Sequence, residues 1–362
     1  MRVAVDFQST EGRPTGIGVY AKSLCGEIER LGLPVSFVYL RKGRERDLSA
    51  AGRIFWENAE VPLQTAGKKI DLLYSPGFSP PLFSSCPRVV TVHDIIGKVY
   101  PSKQGRGAKF YWSRWQPLAL RRAQKIVASS ESTRRDLCQF LGIPEKKIEV
   151  VYLGARAQFS SPVNRQEVEK VLGRHSITGP YLLLVSSLEP RKNILGALRA
   201  YERAKGVVPG LKLIIVGKPA GAEVQVHRFI QEKNLTNQVK IIGYVSDEEL
   251  VCLYHGAMAY LMLSYYEGFG YPVLEGMACG LPGVVSNRSS LSEVAGDAAL
   301  LVDPDNESQV VSALKDILID SRLRQSLAVK ALERVGEFSL EKAAKKMSTI
   351  FYQTAHAGGA RP

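Results

Sequence analysis

Residues 258–282 read MAYLMLSYYEGFGYPVLEGMACGLP, and they are the most informative stretch of the chain. The apolar run at 258–263 is typical of a buried parallel strand. A Gly-Phe-Gly turn follows it. A predicted helix comes next, with Pro272 in its first turn, where a missing N–H group costs nothing, and Gly280 as its C-terminal cap. The order of strand, glycine turn and helix predicts one βα unit of an open α/β sheet.

This predicted unit has the features of a ligand site. The turn and the helix N-terminus present backbone N–H groups at the carboxyl edge of the sheet, where open α/β sheets bind anions. Glu267 before the turn and Glu275 inside the helix frame the site. A carboxylate readily accepts hydrogen bonds from paired sugar hydroxyls, so we predict a ligand with hydroxyl and phosphate groups. The alternative is an ordinary βα turn with a solvated Glu.

Two other strand-to-helix junctions are candidate anion sites. Arg191 and Lys192 follow a predicted strand, where two cations and helix N–H groups would hold a diphosphate. Gly16 and Gly18 lie in a turn between the first strand and the first helix. That turn is not G-x-G-x-x-G, and no acidic residue follows about 20 positions later, which argues against a dinucleotide-dependent dehydrogenase. His93, at the end of another predicted strand, is a further candidate.

The chain of 362 residues is long enough for two α/β domains, and its 45% hydrophobic content is that of a globular protein. Five or six βα units are predicted in residues 1–165, and a second series occupies 175–345. Residues 155–179, which are polar and poorly periodic, are read as the linker region with a short helix near 168–172. Residues 346–362 are read as a helical tail. Within the second series, Ser246-Asp247-Glu248-Glu249 has the pattern of a helix capping box. The predicted fold class is α/β, with two Rossmann-like, doubly wound domains.

The Glu-x7-Glu spacing, with Gly-Phe-Gly after Glu267 and Met-Ala-Cys-Gly-x-Pro after Glu275, resembles the signature of retaining glycosyltransferases of the GT-B fold, family 4. The similarity is to the group 1, mannosyltransferase-like branch and extends over the whole chain. The other matching motifs are Thr15-Gly16-Ile17-Gly18, Ser75-Pro76-Gly77, Thr91-Val92-His93-Asp94, Leu188-Glu189-Pro190-Arg191-Lys192-Asn193, Gly243-Tyr244-Val245-Ser246 and Leu291-Ser292-Glu293-Val294-Ala295-Gly296. The resemblance implies two domains that face a cleft, with the nucleotide sugar held mainly by the second and C-terminal helices that return to the first.

The resemblance also implies roles for single residues. Arg191 and Lys192 would bind the diphosphate, and Glu275 would bind the ribose. Glu267 would contact the transferred sugar and, with His93 and the two cations, would make up the catalytic group. The remaining donor-binding residues that it implies are Gly16, Gly18, Ser187, Tyr244, Val245, Gly268, Phe269, Gly270, Val273 and Leu274, of which Tyr244 and Val245 would meet the base. One departure is Ser186, which stands where the family usually has Gly.

The chemistry that the resemblance implies is retaining transfer by front-face substitution, in which the leaving diphosphate acts as the base. Arg191 and Lys192 would supply the positive charge, so neither a metal nor a cofactor is expected beside the nucleotide-sugar substrate. GDP-mannose is the expected donor. A glycan or a lipid-linked sugar of cell-surface polysaccharide assembly is the expected acceptor. A GT-B fold sugar-nucleotide epimerase or phosphorylase is the alternative, which the Glu-x7-Glu spacing with Arg-Lys disfavours.

Basic residues are concentrated in the first part of the chain. The net charge is +13, and residues 1–160 carry 25 Lys and Arg against 14 Asp and Glu. Residues 95–130 contain eight basic residues and no acid, and a helix is predicted from Arg106 with a kink or break at Pro117. This stretch is predicted to face an anionic membrane or the acceptor, with an ordinary solvated face as the alternative. The side chains assigned to it are Lys103, Arg106, Lys109, Trp112, Arg114 and Trp115.

Composition limits the remaining classes. No run of about 18 apolar residues predicts a membrane-spanning helix. The five cysteines are widely spaced without a C-x-x-C motif, which indicates reduced thiols in a cytoplasmic protein rather than a metal site. A peripheral position on the inner face of the membrane follows if the basic stretch binds lipid. The non-enzymatic alternative is a basic nucleic-acid-binding protein, but no zinc, RRM or helix-turn-helix pattern supports it, and no nucleic acid is expected.

Overall fold

The computed structural model describes residues 1–11, 16–43, 48–77, 79–101 and 106–357, except for the side chains of Ala50 and Arg106. The described chain folds into two parallel six-stranded sheets with helices between the strands. The predicted α/β class is therefore confirmed.

The first sheet consists of β1 (Arg2–Asp6), β2 (Ser36–Leu40), β3 (Leu72–Ser75), β4 (Arg88–Val92), β5 (Lys125–Ala128) and β6 (Ile148–Val150). All neighbouring strands are parallel, in the order β2-β1-β3-β4-β5-β6. The order of the strands reverses between β1 and β3. The segments that follow these two strands therefore begin side by side at the carboxyl edge, which is where such sheets bind ligands.

The second sheet consists of β7 (Tyr181–Val185), β8 (Lys212–Val216), β9 (Val239–Gly243), β10 (Ala259–Met262), β11 (Gly283–Ser286) and β12 (Leu300–Val302). Its strands are also parallel, in the order β12-β11-β10-β7-β8-β9. The apolar run at 258–263 forms β10, and every residue of that strand is buried. Here the order reverses between β7 and β10, the strands that precede the Arg-Lys pair and Glu267.

Sixteen α-helical segments are described. They are α1 (Gly16–Arg30), α2 (Ala50–Phe55), α3 (Val61–Thr65), α4 (Ile96–Val99), α5 (Arg106–Phe110), α6 (Gln116–Arg122), α7 (Glu131–Leu141), α8 (Arg165–Arg174), α9 (Ile194–Ala204), α10 (Glu223–Glu232), α11 (Asp247–Gly256), α12 (Tyr271–Ala278), α13 (Ser290–Ala295), α14 (Glu307–Ile319), α15 (Ser321–Val335) and α16 (Leu340–His356). The predicted capping box is confirmed, because the Ser246 hydroxyl accepts a hydrogen bond from the Glu249 N–H group at the start of α11 (3.3 Å).

The helix does not break at Pro117, the second of the two outcomes that the sequence allowed there. Residues 106–122 continue as helix from α5 to α6, and the five residues Tyr111–Trp115 between them form a π-helical turn. Pro117 lies in the first turn of α6, directly after the wider turn. A proline there interrupts no regular α-helical hydrogen bond, so the helix accommodates it.

The chain divides into two compact units, one formed by residues 1–154 with 338–362 and the other by 155–337. We call them the first and the second unit. The second unit begins earlier than residue 175 because α8, in the segment read as a linker, packs against α11. The first unit takes up the chain again from residue 338 because α16 packs against α1, β3 and β4.

Candidate active site

The strongest candidate site lies at the carboxyl ends of β7 and β10. The segment after β7 carries Arg191 and Lys192, and the segment after β10 carries Glu267. The two segments are hydrogen-bonded, because the Tyr265 N–H group donates to the Arg191 carbonyl (2.9 Å). The chain reversal thus brings together residues about 75 positions apart.

Glu267 forms an ion pair with both predicted cations. Lys192 Nζ lies 2.5 Å from Glu267 Oε1, and Arg191 Nη1 lies 3.2 Å from Glu267 Oε2. Burial alone would raise the pKa of Glu267, but the charges of Lys192 and Arg191 outweigh it and lower the pKa below its ordinary value. The Glu267 side chain is therefore a buried anion between two cations.

Further contacts fix the Arg191 guanidinium. Its Nε donates to Glu189 Oε2 (2.7 Å) and its Nη1 to the Tyr266 carbonyl (3.0 Å). The Ser187 hydroxyl donates to the other Glu189 oxygen (2.7 Å), so Ser187 helps to hold the carboxylate that binds Arg191. Ser186, the departure from the family pattern, donates through its hydroxyl to the Ser187 carbonyl (3.0 Å). The Arg-Lys pair is thus held in place rather than solvated freely.

The glycine turn between β10 and α12 is built for close packing. Gly270 has φ of +100°, and a Cβ atom at this position would lie 2.7 Å from the Leu291 side chain. Such a conformation strongly favours glycine. Downstream, the side chains of Val273 and Leu274 are fully buried and belong to the core, and the N–H groups of both residues donate to the Gly270 carbonyl (3.0 and 3.3 Å). Gly280, with φ of +65°, follows the helix as predicted.

Glu275, although only eight residues after Glu267, faces a different set of partners. Arg156 Nη2 donates to Glu275 Oε1 (2.5 Å), and the Tyr254 hydroxyl donates to Glu275 Oε2 (3.3 Å). The other Arg156 nitrogen, Nη1, pairs with Asp247 Oδ2 (2.6 Å). Burial raises the pKa of Glu275 above its ordinary value, and the charge of Arg156 offsets only part of that effect. The two carboxylates of the motif are therefore buried in different electrostatic surroundings.

The residues expected to meet the base are at the end of β9. The Tyr244 ring is 69% exposed, and Lys218 Nζ lies 4.6 Å from its centroid. Val245 is buried, so its side chain packs inward. An exposed aromatic face beside a sheet edge suits stacking against a planar ring. Lys218 is a residue that the sequence did not single out.

In the first unit, His93 directly follows β4, whereas Gly16 and Gly18 lie in the first turn of α1 rather than in a turn before the helix, as was predicted. A Cβ atom on Gly18 would lie 2.3 Å from the Ser9 carbonyl oxygen, so this close approach requires glycine. Gly16 has no such restriction, because a Cβ atom there would meet open space. Thr15, from the same predicted motif, lies outside the described residues. His93 Nε2 lies 2.8 Å from the Pro76 carbonyl oxygen, and burial lowers the pKa of its imidazole, which favours a neutral ring that donates from Nε2.

In the basic stretch of residues 95–130, the described basic side chains that were assigned to the surface are exposed as predicted, but the two tryptophans assigned to it are not. Lys109 and Arg114 are exposed on the helix from α5 to α6. Trp112 and Trp115 are half-buried, and the Trp112 ring lies where a Cβ atom on Gly97 would be. The exposed apolar side chains on this helix are Phe110 and Leu118 instead, at 53% and 46%. Lys103 and the Arg106 side chain lie outside the described residues.

Two other kinds of feature are absent from the part of the chain that the structure describes. None of these residues form a cluster of three or more His, Cys, Asp or Glu side chains that could hold a metal ion. None of the described helices is long and apolar enough to cross a membrane.

Comparisons with known proteins agree with this arrangement. The family model described as "Glycosyl transferases group 1" matches residues 166–334, and "Glycosyltransferase Family 4" matches residues 14–159. O-antigen chain mannosyltransferase B of Escherichia coli is 30% identical over 70% of this chain and 67% of its own length. O-antigen chain mannosyltransferase RfbU of Salmonella typhimurium is 27% identical over 73% of this chain and 69% of its own. Other mannosyltransferases that match are longer, and this chain spans about a third of their length.

The structure resembles solved glycosyltransferases over its full length. A glycosyltransferase from Rickettsia africae superposes with a TM-score of 0.77, covers 99% of both chains and is 16% identical. At that identity the likeness concerns the fold, which is the GT-B fold expected from the sequence.

Proposed function

The chain belongs to the group 1, family 4 glycosyltransferases, and from this membership we propose that it transfers mannose from GDP-mannose to a glycan acceptor with retention of anomeric configuration. The group of Arg191, Lys192 and Glu267 at the chain reversal of the second sheet is the observation that carries the proposal. A nucleotide sugar needs cations for its diphosphate and acceptors for its hydroxyls, and this group supplies both.

Charge development defines the roles in the proposed reaction. As the bond between the sugar and the diphosphate breaks, negative charge grows on the departing phosphate. Lys192 is a compact point charge that can follow that change, and Arg191, held by Glu189 and the Tyr266 carbonyl, presents a fixed guanidinium. Glu267 lies between them and accepts hydrogen bonds from the sugar hydroxyls. The proposed reaction uses no metal ion, because the two cations take that role.

The donor is the first part of the proposal to test. The relatives named above are mannosyltransferases, which supports mannose, and GDP-mannose is the donor that the resemblance implied. Thermal unfolding of the full chain in the presence of GDP, UDP, GDP-mannose and UDP-glucose measures binding, because a ligand of the native state raises the unfolding temperature. We expect the guanosine ligands to give the larger shift. A larger shift with the uridine ligands would replace the donor but leave glycosyl transfer in place.

Retention and independence from metal ions need a transfer assay. With donor and an acceptor glycan, we expect the new glycosidic bond to have the same anomeric configuration as the donor, as read from the one-bond C1–H1 coupling constant of the product. Activity should persist in excess EDTA. Loss of activity that added Mg²⁺ or Mn²⁺ restores would contradict the role given to Arg191 and Lys192. An inverted product would contradict front-face substitution.

The acceptor side of the proposal rests on the first unit. Its helix from α5 to α6 exposes cations, Lys109 and Arg114, next to apolar Phe110 and Leu118. A mixed surface of this kind suits the interface of an anionic membrane, where a lipid-linked acceptor would be presented. We place the enzyme peripherally on the cytoplasmic side of such a membrane.

A further inference from the structure

Arg156 connects two carboxylates of the second unit. It precedes a short 3-10 turn at Ala157–Ser160, in a segment that gave no signal in the sequence. Its guanidinium forks, with Nη1 2.6 Å from Asp247 Oδ2 and Nη2 2.5 Å from Glu275 Oε1. These three residues come from an extended segment, the start of α11 and the middle of α12.

The guanidinium is fixed from two further sides. Its central carbon lies 4.6 Å from the centroid of the Phe159 ring, a fully buried side chain. Gln158 Nε2 also donates to Asp247 Oδ2 (2.8 Å), which anchors the carboxylate on the far side of the fork. The Arg156 side chain is 23% exposed and that of Glu275 is 6% exposed, so this contact is largely buried, whereas Asp247, at 40%, lies nearer the surface.

The same arrangement fixes the rotation of the Glu275 carboxylate. Arg156 holds Oε1 and the Tyr254 hydroxyl holds Oε2, while Tyr254 also donates to the Pro272 carbonyl (3.0 Å). Each carboxylate oxygen retains a second lone pair, so Glu275 can still accept two further hydrogen bonds. Arg156 and Tyr254 fix the orientation of the carboxylate, and they thereby fix the direction of the two lone pairs that remain.

We propose that Arg156 is a positioning residue of the donor site, which orients the Glu275 carboxylate so that it accepts the two ribose hydroxyls of the nucleotide. This inference rests on the proposed function, because it assumes a ribose-containing donor. The role is distinct from donor binding itself, since Arg156 acts on the ligand only through Glu275.

Arg156 also lowers the pKa that burial gives Glu275. The other described titratable groups that interact with this carboxylate are Asp247, Tyr254 and Cys279, and none of them carries positive charge. On α15, which also packs against α12, Lys330 and Arg334 pair with groups of residues 293–297 instead. Burial raises the pKa of Glu275, and Arg156 is the cation that opposes it. Removing Arg156 therefore raises this pKa further, and a protonated Glu275 loses one of its acceptor oxygens.

The test uses the full chain and compares GDP with 2′,3′-dideoxy-GDP by calorimetry between pH 5 and pH 8. The variants are Arg156→Gln, Arg156→Lys and the control Arg174→Gln, whose side chain pairs with Glu249 on the same α11 but contacts neither motif carboxylate. For the wild type we expect GDP to bind at least about tenfold more tightly than its dideoxy analogue, the effect of hydrogen bonds to a charged group. UDP and its dideoxy analogue are measured in parallel.

In Arg156→Gln we expect the preference for GDP over the dideoxy analogue to shrink to about twofold or less, and the loss of GDP affinity on acidification to begin at a higher pH. Arg156→Lys restores a cation without the fork, so it should recover the wild-type pH dependence but only part of the preference. Arg174→Gln should match the wild type in both. Thermal unfolding identifies a variant that fails to fold, and Arg156→Lys then carries the comparison with the wild type.

Two results would overturn the inference while leaving the proposed function intact. One is an equal loss of affinity for GDP and dideoxy-GDP, which would mean that Arg156 only supports the fold. The other is an Arg156→Gln variant with the wild-type preference and pH dependence. If the wild type binds neither GDP nor UDP, the proposed function itself is wrong and the inference falls with it.

Discussion

A buried glutamate in the first unit, Glu57, and one in the second unit, Glu267, have pKa values shifted in opposite directions. In the first unit, Glu57 lies on a π-helical turn and is 1% exposed. Its Oε2 accepts a hydrogen bond from the Ser79 hydroxyl (2.6 Å), which lies 3.0 Å from the Tyr111 hydroxyl. Burial raises the pKa of Glu57 to about 8, so it is mainly a neutral acid at pH 7. In the second unit, Lys192 and Arg191 hold Glu267 as an anion.

The difference comes from where the nearest cation points. In the first unit, Arg53 lies close to the same polar cluster but directs its Nη1 to Asp6 (3.4 Å), which also accepts a hydrogen bond from Trp56 Nε1 (2.9 Å). Glu57 is left with hydrogen bonds from the hydroxyl and the backbone of Ser79, and such uncharged donors stabilise a carboxylate much less than a cation does. A buried charge without a paired cation is costly, so the group takes up a proton instead.

The comparison separates Glu57, which accepts hydrogen bonds from uncharged groups of its own unit, from Glu267, for which we propose a role in donor binding. A neutral, enclosed acid can hold neighbouring segments together but does not attract a charged ligand. A carboxylate kept ionised between two cations creates a charged cluster at the edge of a sheet, where a diphosphate and sugar hydroxyls can bind. Perturbed carboxylates of both kinds are common in proteins, so the paired cations distinguish the site.

The largest expected effect comes from making Glu267 resemble Glu57. Lys192→Ala removes the cation nearest to Glu267 and the charge proposed to stabilise the leaving diphosphate. We expect kcat to fall about 10²–10³-fold, the range seen when one donor to a developing negative charge is lost. The donor Kd should change much less, because the charge grows only as the bond breaks. Steady-state kinetics together with calorimetry measure the two quantities, and Lys233→Ala, an exposed lysine of the second unit, is the control. A raised KM with wild-type kcat would mean that Lys192 only binds the donor.

Removal of the second carboxylate in the same unit should act on binding instead. Glu275→Ala takes away the group proposed to accept two ribose hydroxyls, so we expect nucleotide binding to weaken by about 2–4 kcal/mol, since a hydrogen bond to a charged group contributes about 1.5–3 kcal/mol. Glu249→Ala, on neighbouring α11, removes a carboxylate that pairs with Arg174 and should leave the Kd unchanged. An unchanged dissociation constant in folded Glu275→Ala would exclude the ribose role.

In the first unit, the neutral state of Glu57 predicts a pH dependence of stability. Its pKa is raised from about 4.5 to about 8 on folding, so the native state binds the proton more tightly than the unfolded chain does. The resulting stabilisation is complete below about pH 4.5 and is lost as the pH rises towards 8. Glu57→Gln mimics the protonated acid and does not titrate. We expect its free energy of unfolding, relative to the wild type, to increase by about 3–4 kcal/mol between pH 4.5 and pH 7.5.

Urea unfolding followed by tryptophan fluorescence measures this effect in the first unit. All three tryptophans of the chain belong to that unit, namely Trp56, Trp112 and Trp115. The matched control is Glu60→Gln, on the same π-helical turn, where the carboxylate pairs with Lys42 at the surface. A constant difference in free energy between Glu57→Gln and the wild type across this pH range would show that Glu57 is charged in the native state.

Local patterns predicted much of the fold and the position of the site. The apolar run before Glu267 became β10, and Ser246 caps α11 as its capping box indicated. These features depend on neighbouring residues, so the sequence shows them directly. A charged pair and a glutamate at strand ends indicated a candidate site for the same reason, because parallel strands place their carboxyl ends on one edge, and the structure brings Arg191, Lys192 and Glu267 into contact there.

The partners of the buried carboxylates could not be predicted in this way. Arg156 and Glu275 are 119 positions apart, and no periodicity marks Arg156 within a segment read as a linker. The surroundings of Glu57 could not be predicted either, because nothing near it in sequence shows that Ser79 and Tyr111 lie around it. Charge state depends on long-range packing, and packing appears only in three dimensions.

The smallest expected effect concerns the cations that the first unit carries on its surface rather than beside Glu57. Arg114 is exposed between Phe110 and Leu118 on the helix from α5 to α6. If this surface binds an anionic bilayer, Arg114→Gln should weaken binding by about 1 kcal/mol, about fivefold, the typical contribution of one basic residue near such a membrane. Sedimentation with phosphatidylglycerol-containing and pure phosphatidylcholine vesicles, at low and high salt, measures it. Arg228→Gln, an exposed arginine on α10 of the second unit, should have no effect. Equal binding to both lipids, no binding at low salt, or an equal effect of the two variants would contradict the membrane role, and a soluble acceptor would then explain the basic surface better.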